Sequence, residues 1–147
     1  MATQQIILDL KSALELGEGQ FIEFKEAPDK SLPREMVAFA NASGGVIYLG
    51  ITDSGQIKGI EISNRLKSQI QDTARNCDPP VAALLSQIKN VLAIEVKEGV
   101  NKPYSCASGF FMRMGANTQK MNRDETKFHR IPLKIFNFNE MKSWLWP

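Results

Sequence analysis

Only two cysteines, Cys77 and Cys106, and one histidine, His129, stand in the 147 residues. They are too few and too scattered to surround a zinc ion, and a reducing compartment argues against a disulfide, so both cysteines read as packing residues. No apolar run approaches the roughly 20 residues that cross a bilayer. The start, MATQQIILDLKSALELG, has neither a basic n-region nor a small-residue cleavage site, and the expectation is a cytoplasmic protein with no membrane contact. A phosphate-binding run of the type Gly-x4-Gly-Lys-Ser/Thr is missing as well, so no ATP site is expected. There are no solenoid repeats and no low-complexity stretches, and hence no visible linker. Aromatic residues make up only 8%, yet 43% hydrophobic content in a chain of this length is enough to bury one core.

A strong overall charge is also lacking, since the net value is +2. Its distribution is uneven: residues 1–98 carry 10 basic and 13 acidic side chains, residues 99–147 carry 8 basic and 3 acidic. A basic C-terminal surface suits a phosphate backbone, because neutralising phosphates releases condensed counterions; solvated surface lysines give the same count.

The apolar pattern defines the elements. Ile7, Leu10 and Leu14 predict a helix over residues 4–16, with Gly17 as its stop. Residues 20–25 alternate, with Ile22 and Phe24 on one face and Phe21, Glu23 and Lys25 on a wet or functional one. A helix over 32–42 starts with Pro33 and carries Leu32, Met36, Phe39 and Ala40 as a stripe; Asn41 to Gly45 stops it. Residues 46–51 and 56–60 read as a hairpin around Asp53-Ser54-Gly55. Ser63 or Asn64 caps a third helix with Leu66, Ile70, Thr73 and Cys77 on one face, ended by Asp78-Pro79-Pro80. Residues 84–88 and 91–96 flank Lys89-Asn90 as a second hairpin, and 110–114 predict a last strand. Asn122-Arg123-Asp124-Glu125 has capping-box spacing and opens a short helix. The fold class is α+β: a single domain over 1–130 with a mixed sheet of about five to six strands and three to four helices. Residues 131–147, with Phe136, Phe138, Trp144 and Trp146, form an apolar tail expected to dock on the core or on a partner.

The residues richest in chemistry are Glu18, Glu23 and Asp53: one before a strand, one within it, one just past another. If they meet, three carboxylates raise one another's pKa, and Mg²⁺ or Mn²⁺ with hard oxygen ligands resolves the conflict. Such a metal activates water and stabilises charge on a phosphate. The plainer reading pairs Glu23 with Lys25 or a helix cation and leaves Asp53 to shape its turn.

Glu18-x4-Glu23-Phe24-Lys25, Ala38-Phe39-Ala40-Asn41-Ala42-Ser43-Gly44-Gly45 and Leu49-Gly50-Ile51-Thr52-Asp53-Ser54-Gly55 together resemble the Schlafen AlbA-like domain. Lys102-Pro103-Tyr104 and Phe111-Met112-Arg113-Met114-Gly115-Ala116-Asn117-Thr118 are similar to its lysine-proline segment and its closing arginine, glycine and threonine signature. The resemblance covers about residues 5–126. It implies a nucleic-acid-binding fold found in bacterial transcriptional regulators and in animal Schlafen proteins, some of which cleave transfer and ribosomal RNA. It places the active carboxylates of those nucleases at Glu18, Glu23 and Asp53. The chain departs from the animal nucleases in having one lobe instead of two and no zinc ligands, and a homodimer would restore the groove. Bacterial relatives usually continue into a longer C-terminal region, and the resemblance fades after about Glu125.

The resulting expectation is a module that holds RNA or DNA, with metal-dependent endoribonuclease activity toward structured RNA such as tRNA at Glu18, Glu23 and Asp53. Lys25, Lys102, Arg113, Lys120 and Arg123 are the candidate nucleic-acid contacts. The alternatives are a non-catalytic DNA-binding or transcription-regulatory module and a protein interaction domain.

Overall fold

The computed structural model describes residues 10–129, which form four helices and two sheets. Residues 4–9 of the expected first helix and the apolar tail at 131–147 lie outside those residues. Residues 10–16 are helical (α1), and Gly17, at φ 77°, donates its amide to the Ala13 carbonyl as the expected stop. Then come β1 (Ile22–Lys25), α2 (Leu32–Asn41), β2 (Gly45–Leu49), α3 (Asn64–Arg75), β3 (Ala83–Ile88), β4 (Val91–Val96), β5 (Ser105–Cys106), β6 (Gly109–Met114), β7 (Asn117–Lys120) and α4 (Arg123–His129).

The larger sheet has the order β1-β2-β4-β3, with β1 parallel to β2 and the other pairs antiparallel. The parallel pair requires a crossover, and α2 supplies it. Alternation along β2 and β4 sends Ile47, Leu49, Leu92 and Ile94 to one face, where α2 and α3 lie. Tyr48, Val91 and Ala93 go to the other face, with Phe24 and with Leu10 and Ala13 of α1. The smaller sheet, β5-β6-β7, closes over α2 from the opposite side.

The sequence predicts α2 as an amphipathic helix, but it is covered all round: from Leu32 onward only Pro33 and Arg34 escape burial. Met36-Val37-Ala38-Phe39-Ala40 contains no polar residue, which is the composition of a central helix. Two polar side chains are carried inside with it, Glu35 and Asn41. Asn41 Nδ2 donates to the Tyr104 and Phe111 carbonyls at 2.9 and 2.8 Å, and its Oδ1 accepts from the Tyr104 amide at 2.6 Å. That amide side chain therefore fastens the smaller sheet to the helix.

The 46–51/56–60 hairpin is reduced to a single bridge between Ile51 and Ile57. Gly50, at φ 99°, turns the chain out of β2 and its carbonyl accepts from both Lys58 and Gly59, so no regular ladder continues. Other expectations match. Ser63 Oγ accepts from the Leu66 amide, Lys89 (φ 53°) makes the tight β3–β4 turn, and Asn122 and Glu125 exchange side-chain-to-amide bonds at 2.8 and 3.0 Å. On α3 the buried stripe is Leu66, Ile70 and Ala74, with Thr73 turned to bond the Gln69 carbonyl. Among the described residues no helix is long and apolar enough to cross a membrane.

Candidate functional site

Strand β1 lies at the edge of its sheet, and Gly19 in the turn before it exchanges backbone bonds with Ile22, which leaves both carbonyls able to accept further donors. Arg113 of β6 provides them: Nη2 donates to the Gly19 and Ile22 carbonyls, both at 2.9 Å, and Nε to Gly19 at 3.1 Å. Gln20 completes the seam, bonding the Arg113 carbonyl and the Gly115 amide in the manner of a backbone. The same guanidinium, whose side chain is 1% exposed, binds Glu23 Oε2 at 2.7 Å and Glu35 Oε2 at 3.1 Å. Thr118, opposite Arg113 in the β6–β7 register, accepts from Arg113 Nη1 and donates to Glu35 Oε2 at 2.6 Å. The Phe39 ring lies 4.9 Å from the guanidinium carbon and closes one face of it.

This arrangement revises two expectations. Of the wet or functional face expected for Glu23, the wet reading does not describe it: only 14% of its side chain is exposed. Its partner is neither Lys25 nor a helix cation but a strand arginine. Arg113, expected as a phosphate contact, has its donors held by carbonyls, a hydroxyl and carboxylates inside the protein. The arginine, glycine and threonine signature thus closes a buried lock. Alternation was the available signal for Arg113, since it shares a strand face with Phe111, which is also buried. Glu35 was missed because an acid in the first turn of a helix reads as a dipole complement at the surface.

Two carboxylates around one buried cation leave an uncompensated negative charge. Burial, then the Glu35 charge, push the Glu23 carboxyl up from the ordinary 4.5 to about 7 against the pull of Arg113, with Glu18 adding a smaller push. Glu18 is also raised, first by burial and then by Asp53, although it accepts a hydrogen bond from the Phe24 amide. The three predicted acids therefore share one electrostatic neighbourhood.

Glu23 and Asp53 also line an open cleft of about 520 Å³, together with Lys25, Glu26 and Asp29. Asp53 sits at an exposed turn in which the Gly55 amide bonds the Thr52 carbonyl. Lys25 Nζ is held by Asp29, at 3.1 Å, and by Ser31 Oγ. Asp29 also accepts from the Ser31 hydroxyl at 2.6 Å and amide at 2.9 Å, and Ser31 and then Lys25 pull its carboxyl below the usual value despite its partial burial. Lys58 and Glu26 pair at the cleft rim at 2.8 Å.

Mg²⁺ or Mn²⁺ would suit these hard oxygen donors. As the carboxylates are placed, however, Glu23 is already bound to Arg113, and among the described residues no three Asp, Glu, His or Cys side chains are grouped to hold a metal ion. The set does not fit a metal in this arrangement; its cation is the guanidinium.

The remaining basic candidates lie elsewhere. Lys102 is paired with Glu98 at 3.6 Å and is 18% exposed, while Lys120 and Arg123 are exposed and, among the described residues, carry no ion pair. Gly44 and Gly45, which follow α2, permit close packing: a Cβ on Gly44 would sit 2.8 Å from the Val96 carbonyl oxygen, and one on Gly45 2.5 Å from the Phe39 ring.

The sequence model described as Schlafen, AlbA_2 matches residues 18–122, a span that begins at Glu18 and includes the Arg113–Thr118 lock. In fold, the chain is similar to the crystal structure of the DIP2311 protein from Corynebacterium diphtheriae, with a TM-score of 0.60 and 21% sequence identity. The similarity covers 86% of this chain and 28% of that one, so the chain spans little more than a quarter of that protein's length. No curated protein matches the chain.

Proposed function

Because the chain belongs to the Schlafen AlbA_2 family, we propose that it is a cytoplasmic nucleic-acid-binding module. The family match carries this reading, and the distribution of charge divides the work within it. The cleft is lined by Glu23, Glu26, Asp29 and Asp53 against one lysine, so by itself it repels a phosphate backbone. Phosphate contacts fall instead to Lys102, Lys120 and Arg123. A homodimer that sets two such basic surfaces side by side belongs to the same reading, and the mass in solution tests it.

The test is binding of labelled single-stranded RNA, structured RNA and duplex DNA across a salt series. Affinity falls steeply as salt rises, and Lys120→Glu with Arg123→Glu weakens binding to all of them and flattens the salt slope. Undetectable or salt-independent binding contradicts the proposal and favours an interaction domain.

One observation favours a second reading, metal-dependent endoribonuclease activity on structured RNA such as tRNA. Glu23 and Asp53 line one cleft, and Glu18 is electrostatically coupled to Asp53 and Glu23. The reading requires Glu23 to leave Arg113 when Mg²⁺ or Mn²⁺ arrives. Cleavage that needs either ion and disappears in Asp53→Asn supports it; cleavage unchanged in Asp53→Asn, or none with either ion, removes it and leaves a DNA-binding or regulatory module.

A further inference from the structure

The two thiols, free in this structure, lie one residue beyond a single antiparallel bridge. Asp78 and Ser105 exchange both backbone hydrogen bonds, each at 2.8 Å, and Ser105 Oγ adds a third bond to the Asp78 carbonyl. In an antiparallel pair the residues next to such a hydrogen-bonded couple face each other without hydrogen bonds, at the closer spacing of about 4.5 Å between Cα atoms. Here those neighbours are Cys77 and Cys106. Both turn to the same side, since Cys77 belongs to the main core cluster and Cys106 packs against it.

We propose that Cys77 and Cys106 form an intramolecular disulfide when the folded protein meets a low-molecular-weight disulfide such as oxidised glutathione, making this bridge a site of reversible oxidation. The spacing of facing, non-hydrogen-bonded residues is within the Cα separation that a disulfide accepts. The segment is already held in place: the amide and carbonyl of Tyr104, two residues before Cys106, are bonded to the buried Asn41. Closure therefore needs the two sulfurs to turn from their present acceptors, the Thr73 carbonyl for Cys77 and the Gly109 carbonyl for Cys106, while the bridge stays intact.

The thiols differ in access, which orders the steps. Cys106 is partly exposed, whereas Cys77 is buried, and burial first and the neighbouring Cys106 second push its thiol up to about 11. The Cys106 thiolate, having lost its proton to solvent, attacks one sulfur of glutathione disulfide and expels the first glutathione thiolate. Cys77 then gives up its proton and attacks the Cys106 sulfur of the mixed disulfide, forming the Sγ–Sγ bond and expelling the second thiolate. Two protein thiols are oxidised, one small disulfide is reduced to two thiols, and the protons balance. The product joins the end of α3 covalently to β5 of the smaller sheet.

The experiment uses the reduced, full chain incubated with oxidised glutathione and then freed of it. The expected protein has no titratable thiol, a mass lower than the reduced form by two hydrogens, and a proteolytic fragment linking Cys77 to Cys106. It also melts at a higher temperature than the reduced form, because the cross-link restricts the unfolded chain. Cys77→Ala instead retains one glutathione on Cys106, which shows that Cys106 is attacked and Cys77 resolves. The proposal is overturned if the wild-type chain keeps glutathione on Cys106 with Cys77 still free, if the bond forms between chains, or if it closes only in denaturant.

Discussion

Arg113 and Glu23 stand 2.7 Å apart, and Lys58 and Glu26, at the rim of the adjoining cleft, stand 2.8 Å apart. The first pair has 1% and 14% of its side chains exposed, the second 65% and 52%. Distance alone would rank the two as equals. Burial separates them, because water screens and competes with the rim pair while the inner charges are enclosed by each other, Glu35, Thr118, the Phe39 ring and the carbonyls of the chain before and within β1. The inner charges hold the two sheets together, whereas the rim charges stay in contact with water. Glu23 touches both regions, since it binds Arg113 and lines the cleft.

The largest expected effect follows from removing the shared cation. Arg113→Met leaves two carboxylates buried without compensation and strips three hydrogen bonds from the carbonyls of Gly19 and Ile22, so a loss of about 3–5 kcal/mol is expected in denaturant unfolding. In a Glu35→Gln background the same substitution costs less, because one of the stranded charges is already gone; equal costs would mean that the two residues are not coupled. Next comes Asn41→Ala, which abandons two carbonyls and one amide inside the protein and costs about 2–4 kcal/mol. Its loss should expose amides of β5 and β6 to hydrogen exchange before those of β2 and β4.

A smaller effect is expected from pH. Glu23 titrates at about 7 in the folded chain and at the ordinary 4.5 when unfolded, so between those values the folded state binds more protons. Its contribution to stability is therefore full below about 4.5, declines as pH rises toward about 7, and is constant above that. Glu18 shifts in the same direction, whereas the lowered Asp29 acts at more acid pH, its contribution being lost as pH falls below 3.8. Glu23→Gln should remove most of the decline; a slope unchanged in that variant would place the titrating group elsewhere. The smallest effect is that of Lys58→Ala, which breaks the short rim pair and should leave the melting temperature unchanged. A clear fall would erase the distinction between rim and interior.

Much of this architecture was legible along the chain. Local chemistry marked Gly17, the Ser63 cap, the Lys89-Asn90 turn and the Asn122–Glu125 capping box, because each depends on residues no more than a few positions apart. The acidic trio was legible as a set, and the structure brings its charges into one neighbourhood. What could not be read locally was the cation: Glu23 and Arg113 are 90 positions apart, and only the closure of the smaller sheet over α2 joins them. The covering of α2 on all sides, and with it the burial of Glu35, likewise depends on a sheet whose first strand is two residues long.

The division between inner and outer charge is tested most directly by titrating ¹⁵N-labelled protein with a short single-stranded RNA at low salt and following backbone amides together with the Arg113 Nε–H resonance. Shifts should appear around Lys102, Lys120 and Arg123, while Arg113 Nε, held on the Gly19 carbonyl, stays in place. A shift confined to Arg113 and its carboxylate partners, with the exposed cations silent, would contradict the account.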